Sequence, residues 1–323
     1  MITTILDRYP GDWDTTRASF CRPQKTLQVR RPYDVFHTVQ PDRERRRNRV
    51  TSAHFTLSAF GDEITDDLAA QLDILAAEGV HSLELRGAWG RNVLEFDAND
   101  LRRARELLDS RGFAVSAIGS PIGKSPIDGA PDFEPGRLDR AAAAADALGT
   151  RLIRVFSFYV PAGQANAHRE AVMHRMGALA RRAAELGVTL VHENERGIYG
   201  DTAERCLDIL QTVGSPALRA AFDPANFVQC GVRPMAEAWP LLADYVIHVH
   251  IKDAVFADGS VRPAGQGDGA VPELLAALRE RGYQGYLTLE PHLQIAGPSG
   301  GFSGAEGMRA AIRALRALLN EPA

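Results

Sequence analysis

Glu193, Asp223, His250 and Glu290 stand at the ends of four successive apolar runs, VTLVHE (188–193), LRAAFD (218–223), YVIHVHI (245–251) and YLTLE (286–290). Three carboxylates and one imidazole brought together repel one another unless positive charge sits among them. A divalent cation supplies that charge directly. A mostly oxygen donor set with one nitrogen suits Mn²⁺ first, with Mg²⁺ or Co²⁺ as alternatives, and suits structural zinc less well. Any one of these acids alone is as well explained by an arginine partner or a helix cap. Four on consecutive runs are not.

The elements that must position these groups follow from the pattern around them. From residue 51 onward, short apolar runs alternate with amphipathic segments. The earlier runs are FTLSA (55–59), HSLELR (81–86), FAVSAIGS (113–120) and RLIRVFS (151–157). Helical periodicity falls at about 65–78, 97–111, up to 148, 166–186, 202–213, 234–243, 271–281 and 304–319, and several of these segments stop at a glycine. Eight strand–helix pairs over residues 51–323 predict parallel strands joined by helical crossovers, an α/β fold of the (β/α)8 TIM-barrel class. A doubly wound sheet is the competitor, but no GxGxxG or GxxxxGK[ST] follows the first run. In such a barrel the site lies at the C-terminal ends of the strands. Two-residue alternation puts Glu193 on one face with Val191 and Thr189 and turns His192 the other way; His248 and His250 share a face, as do Glu290 and Thr288.

Composition narrows the classes. Hydrophobic residues make up 45% and charged ones 24%, enough for a sizeable core. No run reaches the roughly 20 apolar residues of a membrane span, so no membrane association is expected. Cys21, Cys206 and Cys230 show no metal or disulfide spacing, which points to a reducing cytoplasm. The formal charge is −4, divided between a basic stretch over 1–50 and an acidic remainder. Residues 1–50, with Arg43, Arg45, Arg46, Arg47 and Arg49, are expected to form a disordered extension. An acidic barrel is a poor partner for nucleic acid. A homo-oligomer is left open.

The strings FGDEITDD (60–67), LELRGAWGRNV (83–93), SPIGK (120–124), RVFSFY (154–159), HEN (192–194), FDPANF (222–227), HVHIKD (248–253), the GQG loop (265–267) and LEPH (289–292) resemble those of the sugar phosphate isomerase/epimerase family, with its xylose-isomerase-like barrel. The likeness covers about 55–319 and none of 1–50. It implies that Glu193, Asp223, His250 and Glu290 hold a metal ion. It also implies that Glu193 and Glu290 act as acid and base on opposite faces of a sugar, as in the ketose 3-epimerase branch. That branch has Asp-x-x-His after its sixth strand, whereas this chain has Asp223 and Asn226. Asn226 can hydrogen-bond a hydroxyl but cannot shuttle a proton near neutral pH. The departure leaves room for eliminating relatives, inosose dehydratases and 3-oxo-glycoside lyases, in which His192 would serve as acid/base if the strand end twists it inward.

The expected activity is isomerisation or epimerisation of a sugar or cyclitol by proton abstraction next to a carbonyl, with elimination as the alternative. An endonuclease-IV-like phosphodiesterase would need more histidines and a basic face. A non-catalytic sugar-binding subunit would have no chemical need for both Glu193 and Glu290. Substrate contacts are expected from Glu84, Arg86, Lys124, Phe156, Asn226, Lys252 and His292. Phe156, Phe158, Tyr159 and Trp89 would supply an apolar wall, Asp253 would orient Lys252 or a histidine, and Gly265, Gly267 and Gly269 would form a mobile loop.

Overall fold

A computed structural model describes residues 53–130, 133–293 and 303–320. The chain divides between Arg49 and Val50, and the architecture below is that of Val50–Ala323 alone. The extension expected over 1–50 lies outside the described residues.

Eight parallel strands close into a barrel: β1 (Thr56–Phe60), β2 (Ser82–Leu85), β3 (Ala114–Gly119), β4 (Leu152–Val155), β5 (Thr189–Glu193), β6 (Leu218–Phe222), β7 (Val246–Ile251) and β8 (Tyr286–Leu289). Each pairs with its neighbours in chain order, and β8 returns to β1 through Thr56↔Tyr286 and Ala59↔Leu289. This is the expected (β/α)8 class. The strands are short and rich in Val, Leu and Ile because both faces are covered, by helices outside and by side-chain layers within.

The helices are α1 (Leu68–Ala77), α2 (Ala98–Ser110), α3 (Phe133–Leu148), α4 (Ala165–Leu186), α5 (Ala203–Val213), α6 (Pro224–Gln229), α7 (Trp239–Leu242), α8 (Val271–Glu280) and α9 (Gly304–Leu319). Asp67, Asp97 and Thr202 cap α1, α2 and α5 with side-chain oxygens, satisfying amides that would otherwise be orphaned. Gly187 ends α4 in the left-handed conformation (φ 68°), which lets the chain turn directly into β5. Among the described residues no helix is long and apolar enough to cross a membrane.

Two features at the mouth lie beyond the strand–helix alternation. Helix α6 is only six residues long, too short to register as a helical period, and starts immediately after β6. The chain after β7 forms a small antiparallel ribbon, Asp253–Ala254 with Val261–Arg262. The glycine loop that follows is not loose where it meets Asp253: that carboxylate accepts the backbone N–H groups of Gly265 (2.9 Å), Gly267 (3.0 Å) and Gly269 (2.8 Å), and of Ala254 (2.9 Å). Asp253 therefore organises the loop, instead of orienting Lys252 or a histidine.

The loop after β3 is fitted against the chain after β4, with Ile122 O accepting from Phe156 N and Gly123 O from Phe158 N, each at 2.8 Å. Gly123 has φ 82°, and a Cβ there would overlap the Phe156 carbonyl, which is backbone and cannot swing aside. Gly123→Ala should cost about 2–4 kcal/mol in urea unfolding; a loss under ~0.5 kcal/mol would mean the loop repacks without strain.

Candidate functional site

The ends of β5, β6, β7 and β8 place one ligand atom from each of Glu193, Asp223, His250 and Glu290 within 4.8 Å of one another, and all four side chains are buried. Asn194 joins two of these strand ends. Its amide donates to Asp223 O (2.9 Å), and its side-chain oxygen accepts from Asp223 N (3.1 Å). Asp223 also caps α6, Oδ1 accepting from Asn226 N at 2.9 Å, so its Oδ2 is the oxygen left for the site. Capping and site membership, alternatives in the sequence, are both true of this residue.

His250 is fixed from below. Glu84 Oε2 lies 3.2 Å from His250 Nε2 and 2.7 Å from His248 Nε2. Burial opposes a charge on His250, but Glu193 and Glu84 outweigh it and raise its pKa well above the ordinary value, so the imidazolium points Nε2–H at Glu84 and Nδ1 at the other acids. Nδ1 stands 3.1 Å from Glu193 Oε1 and 3.9 Å from Glu290 Oε2. Phe60 meets the His250 ring edge-on at 5.2 Å, while the guanidinium carbons of Arg86 and Arg154 lie 4.7 and 5.3 Å from the Phe60 centroid. One aromatic ring thus braces three of the site's polar groups.

Cations surround the acids. Arg154 Nη1 donates to Glu193 Oε2 (2.9 Å), and Arg86 donates to Asp62 (2.7 Å), Glu63 (3.2 Å) and Glu290 Oε1 (2.9 Å). Lys252 Nζ reaches Asp223 Oδ2 (3.0 Å) and Glu290 Oε2 (3.1 Å). His292 Nε2 lies 2.9 Å from Glu63 Oε1 and 3.5 Å from Glu290 Oε1. Burial alone would push Glu193 up, but His250 and Arg154 hold it down at about 2. Burial opposes ionisation of Glu290 too, and Lys252 and His292 keep its carboxyl far below the usual range. For Asp223 burial wins: despite Lys252, and with Glu193 and Glu290 adding to it, the group is pushed up to about 6. His292 rises to about 9: burial works against its charge, but Glu290 and Glu63 outweigh it.

The cavity above these groups measures about 220 Å³ and is lined by Lys124, Arg154, Tyr159, Glu193, Glu195, Arg196, Asn226, Gln229, Lys252, Glu290 and His292. Every one of these side chains carries a polar or charged group. Of the expected substrate contacts, Lys124, Asn226, Lys252 and His292 reach this cavity. Lys124 pairs with Glu195 at 2.8 Å. Asn226 donates to Glu193 Oε1 (3.0 Å) and Asn194 O (2.9 Å), leaving its amide oxygen for a ligand.

Three expected substrate contacts need correction. Glu84 is wholly buried beneath His250, where the two histidines engage it, so it orients a ring and does not line the cavity. Arg86 is committed to Asp62, Glu63 and Glu290 rather than to a substrate. Phe156 is fully buried and gives its ring to Arg154 (4.6 Å) and Lys124 (4.3 Å), so it supports cations instead of forming an apolar wall. Phe158 is likewise buried, and Trp89 stacks on Phe96 at 5.3 Å. Tyr159 alone of that aromatic set lines the cavity.

His192 is not brought to the acids. Its ring is buried against Gly200, whose added Cβ would crowd His192 Nε2 at 2.8 Å, and the strand end does not twist it inward. The residues missed in the sequence are Arg154, Asp62, Glu63 and Asn194, and the cavity-lining Glu195, Arg196 and Gln229. Arg154 was detectable: an arginine inside a strand buried on both faces needs an acid partner.

A model of the xylose isomerase-like TIM barrel family matches residues 72–318. The chain belongs to that family. A 2-epi-5-epi-valiolone 7-phosphate 2-epimerase from Actinoplanes sp. is 29% identical over 218 residues, 65% of this chain and 77% of that protein. A xylose isomerase domain protein from Planctomyces limnophilus superposes with a TM-score of 0.65 at 20% identity, over 83% of this chain and 97% of its own. A probable 3-DHS dehydratase from Bacillus anthracis gives a TM-score of 0.65 at 17% identity, over 81% of this chain and 98% of its own. At these identities the two structures share the fold.

His192 carries a pH signature separate from the cavity. Burial pushes its pKa down to about 4. The unfolded imidazole titrates near 6.5, so between those values the unfolded chain binds a proton that the folded chain refuses, and stability falls as pH drops. His192→Gln should therefore lose ~2 kcal/mol less than the parent protein between pH 7 and pH 5 in urea unfolding. Equal losses would mean that the ring is protonated in place.

Proposed function

We propose that this barrel is a divalent-metal-dependent sugar or cyclitol isomerase or epimerase, acting by proton abstraction beside a carbonyl. The observation that carries the reading is the pairing of Glu193 and Glu290. Both carboxyls are held below the ordinary carboxylate range by neighbouring cations, come from the ends of different strands and border one polar cavity. The relative that is 29% identical is by its name a 2-epimerase of 2-epi-5-epi-valiolone 7-phosphate, which supports epimerisation over elimination here.

The donors fit a divalent ion. Six acids, Asp62, Glu63, Glu84, Glu193, Asp223 and Glu290, face Arg86, Arg154 and Lys252 together with His250 and His292, whose pKa values are both raised, so among the described residues the acids outnumber the cations by one. That leaves an excess of negative charge for a metal to offset. Asp223 Oδ2 and His250 Nδ1 are buried without a well-aligned hydrogen bond, so the first can turn an oxygen to an ion, and the second would offer its lone pair once its proton is lost. Glu193, Asp223, His250 and Glu290 would hold it, with Mn²⁺ preferred and Mg²⁺ or Co²⁺ as alternatives. When bound, it would supply positive charge that acidifies a C–H next to a carbonyl and stabilises the enediolate.

The chain's own groups then divide the work. Glu193, kept ionised by His250 and Arg154, takes the proton from carbon. A proton returns to the other face from the Glu290 side, where His292 is the partner able to release one. Lys124 and Asn226 bind substrate oxygens, and Tyr159 offers a ring to the C–H face. His192 has no part in these steps. Elimination remains the second reading because Asn226, in place of a histidine, cannot carry a proton to a ketose hydroxyl.

Incubation with Mn²⁺ and a panel of keto-sugars and keto-cyclitols in D₂O tests the proposal. The parent protein should put solvent deuterium into recovered substrate, and Glu193→Gln and Glu290→Gln should cut exchange at least ~10²-fold. An α,β-unsaturated product would select elimination. No exchange and no product with any candidate would sink both.

A further inference from the structure

Lys252 stands where the cation would go. It leaves the chain two residues after His250, is only 4% exposed, and places Nζ 3.0 Å from Asp223 Oδ2 and 3.1 Å from Glu290 Oε2. The other oxygen of each acid is already committed. Asp223 Oδ1 caps α6, and Glu290 Oε1 accepts from Arg86 Nη1. The oxygens under the ammonium are therefore the same two that remain to receive a metal ion.

A monovalent ammonium and a divalent ion cannot both sit at contact distance from one pair of oxygens without strong mutual repulsion. Resting on the metal reading above, we infer that Lys252 is an internal competitor for the metal site, sharing Asp223 Oδ2 and Glu290 Oε2 with the ion and setting its affinity. Metal entry then requires the Lys252 side chain to leave those oxygens. Lys252 also lines the cavity, so its charge can move toward substrate when it does. Two consequences follow from charge alone. Without Lys252 the acids bind a divalent ion more tightly, and without either cation they destabilise the fold.

Calorimetric titration of the metal-free full chain with Mn²⁺ tests this on the parent protein, Lys252→Met and Lys252→Arg. Lys252→Met should bind roughly tenfold more tightly or better, melt lower without metal and gain more from it. Lys252→Arg, which keeps the charge, should stay near the parent affinity. Equal or weaker binding by Lys252→Met overturns the inference while leaving the metal reading intact. If neither the parent nor Lys252→Met binds Mn²⁺, Mg²⁺ or Co²⁺, the metal reading itself fails and the inference falls with it.

A second measurement needs no core substitution. The chain has only three lysines, Lys25, Lys124 and Lys252, so the side-chain NMR signals of labelled lysine are few enough to assign. Titration with diamagnetic Mg²⁺ should shift the Lys252 signal far more than the other two. A Lys252 signal unmoved by saturating Mg²⁺ refutes displacement.

Discussion

Like charges packed at one end of a dry barrel set the terms for everything else in this structure. Two carboxylates about 4 Å apart repel by ~4 kcal/mol at an effective dielectric near 20, and the mouth holds several such neighbours. The fold answers with cations drawn from distant parts of the chain. Arg86 comes from the end of β2, Arg154 from β4, Lys252 from beyond β7, and each is aimed at an acid on another strand.

Positioning is achieved by residues that do not line the cavity. Glu84 holds His250 from beneath, Asn194 ties the ends of β5 and β6, and Phe60 braces a histidine and two arginines. Asp223 divides its two oxygens between a helix start and the site. Such double use keeps the donor atoms in place without many dedicated supports, and it ties the local fold of α6 to the chemistry.

The strands and the four residues that converge at their ends were legible in the sequence because each is a local signal. A strand shows as a short apolar run, and an acid at its end stands out against buried surroundings. The compensating contacts were not legible, because they join residues far apart in sequence: Arg86 and Glu290 are separated by 204 positions. Glu84 illustrates the limit. Its place at a strand end suggested a substrate contact, but only depth along the barrel decides whether an inward acid borders the cavity or lies under a histidine, and a register shift between Leu83 and Glu84 further unsettles that count. His192 shows the opposite outcome, since simple alternation pointed it outward and the folded strand obeys. Helix α6 escaped because six residues span less than two helical turns.

The four amides gathered on Asp253 have a mechanical meaning for the residue beside it. They clamp the main chain directly after Lys252, so its Cα is a fixed pivot. Any travel of the ammonium must come from torsions along its own four-carbon stem, like a crane jib turning on an anchored mast. Rearrangement at the mouth can then be fast and local, leaving the eight-stranded wall undisturbed.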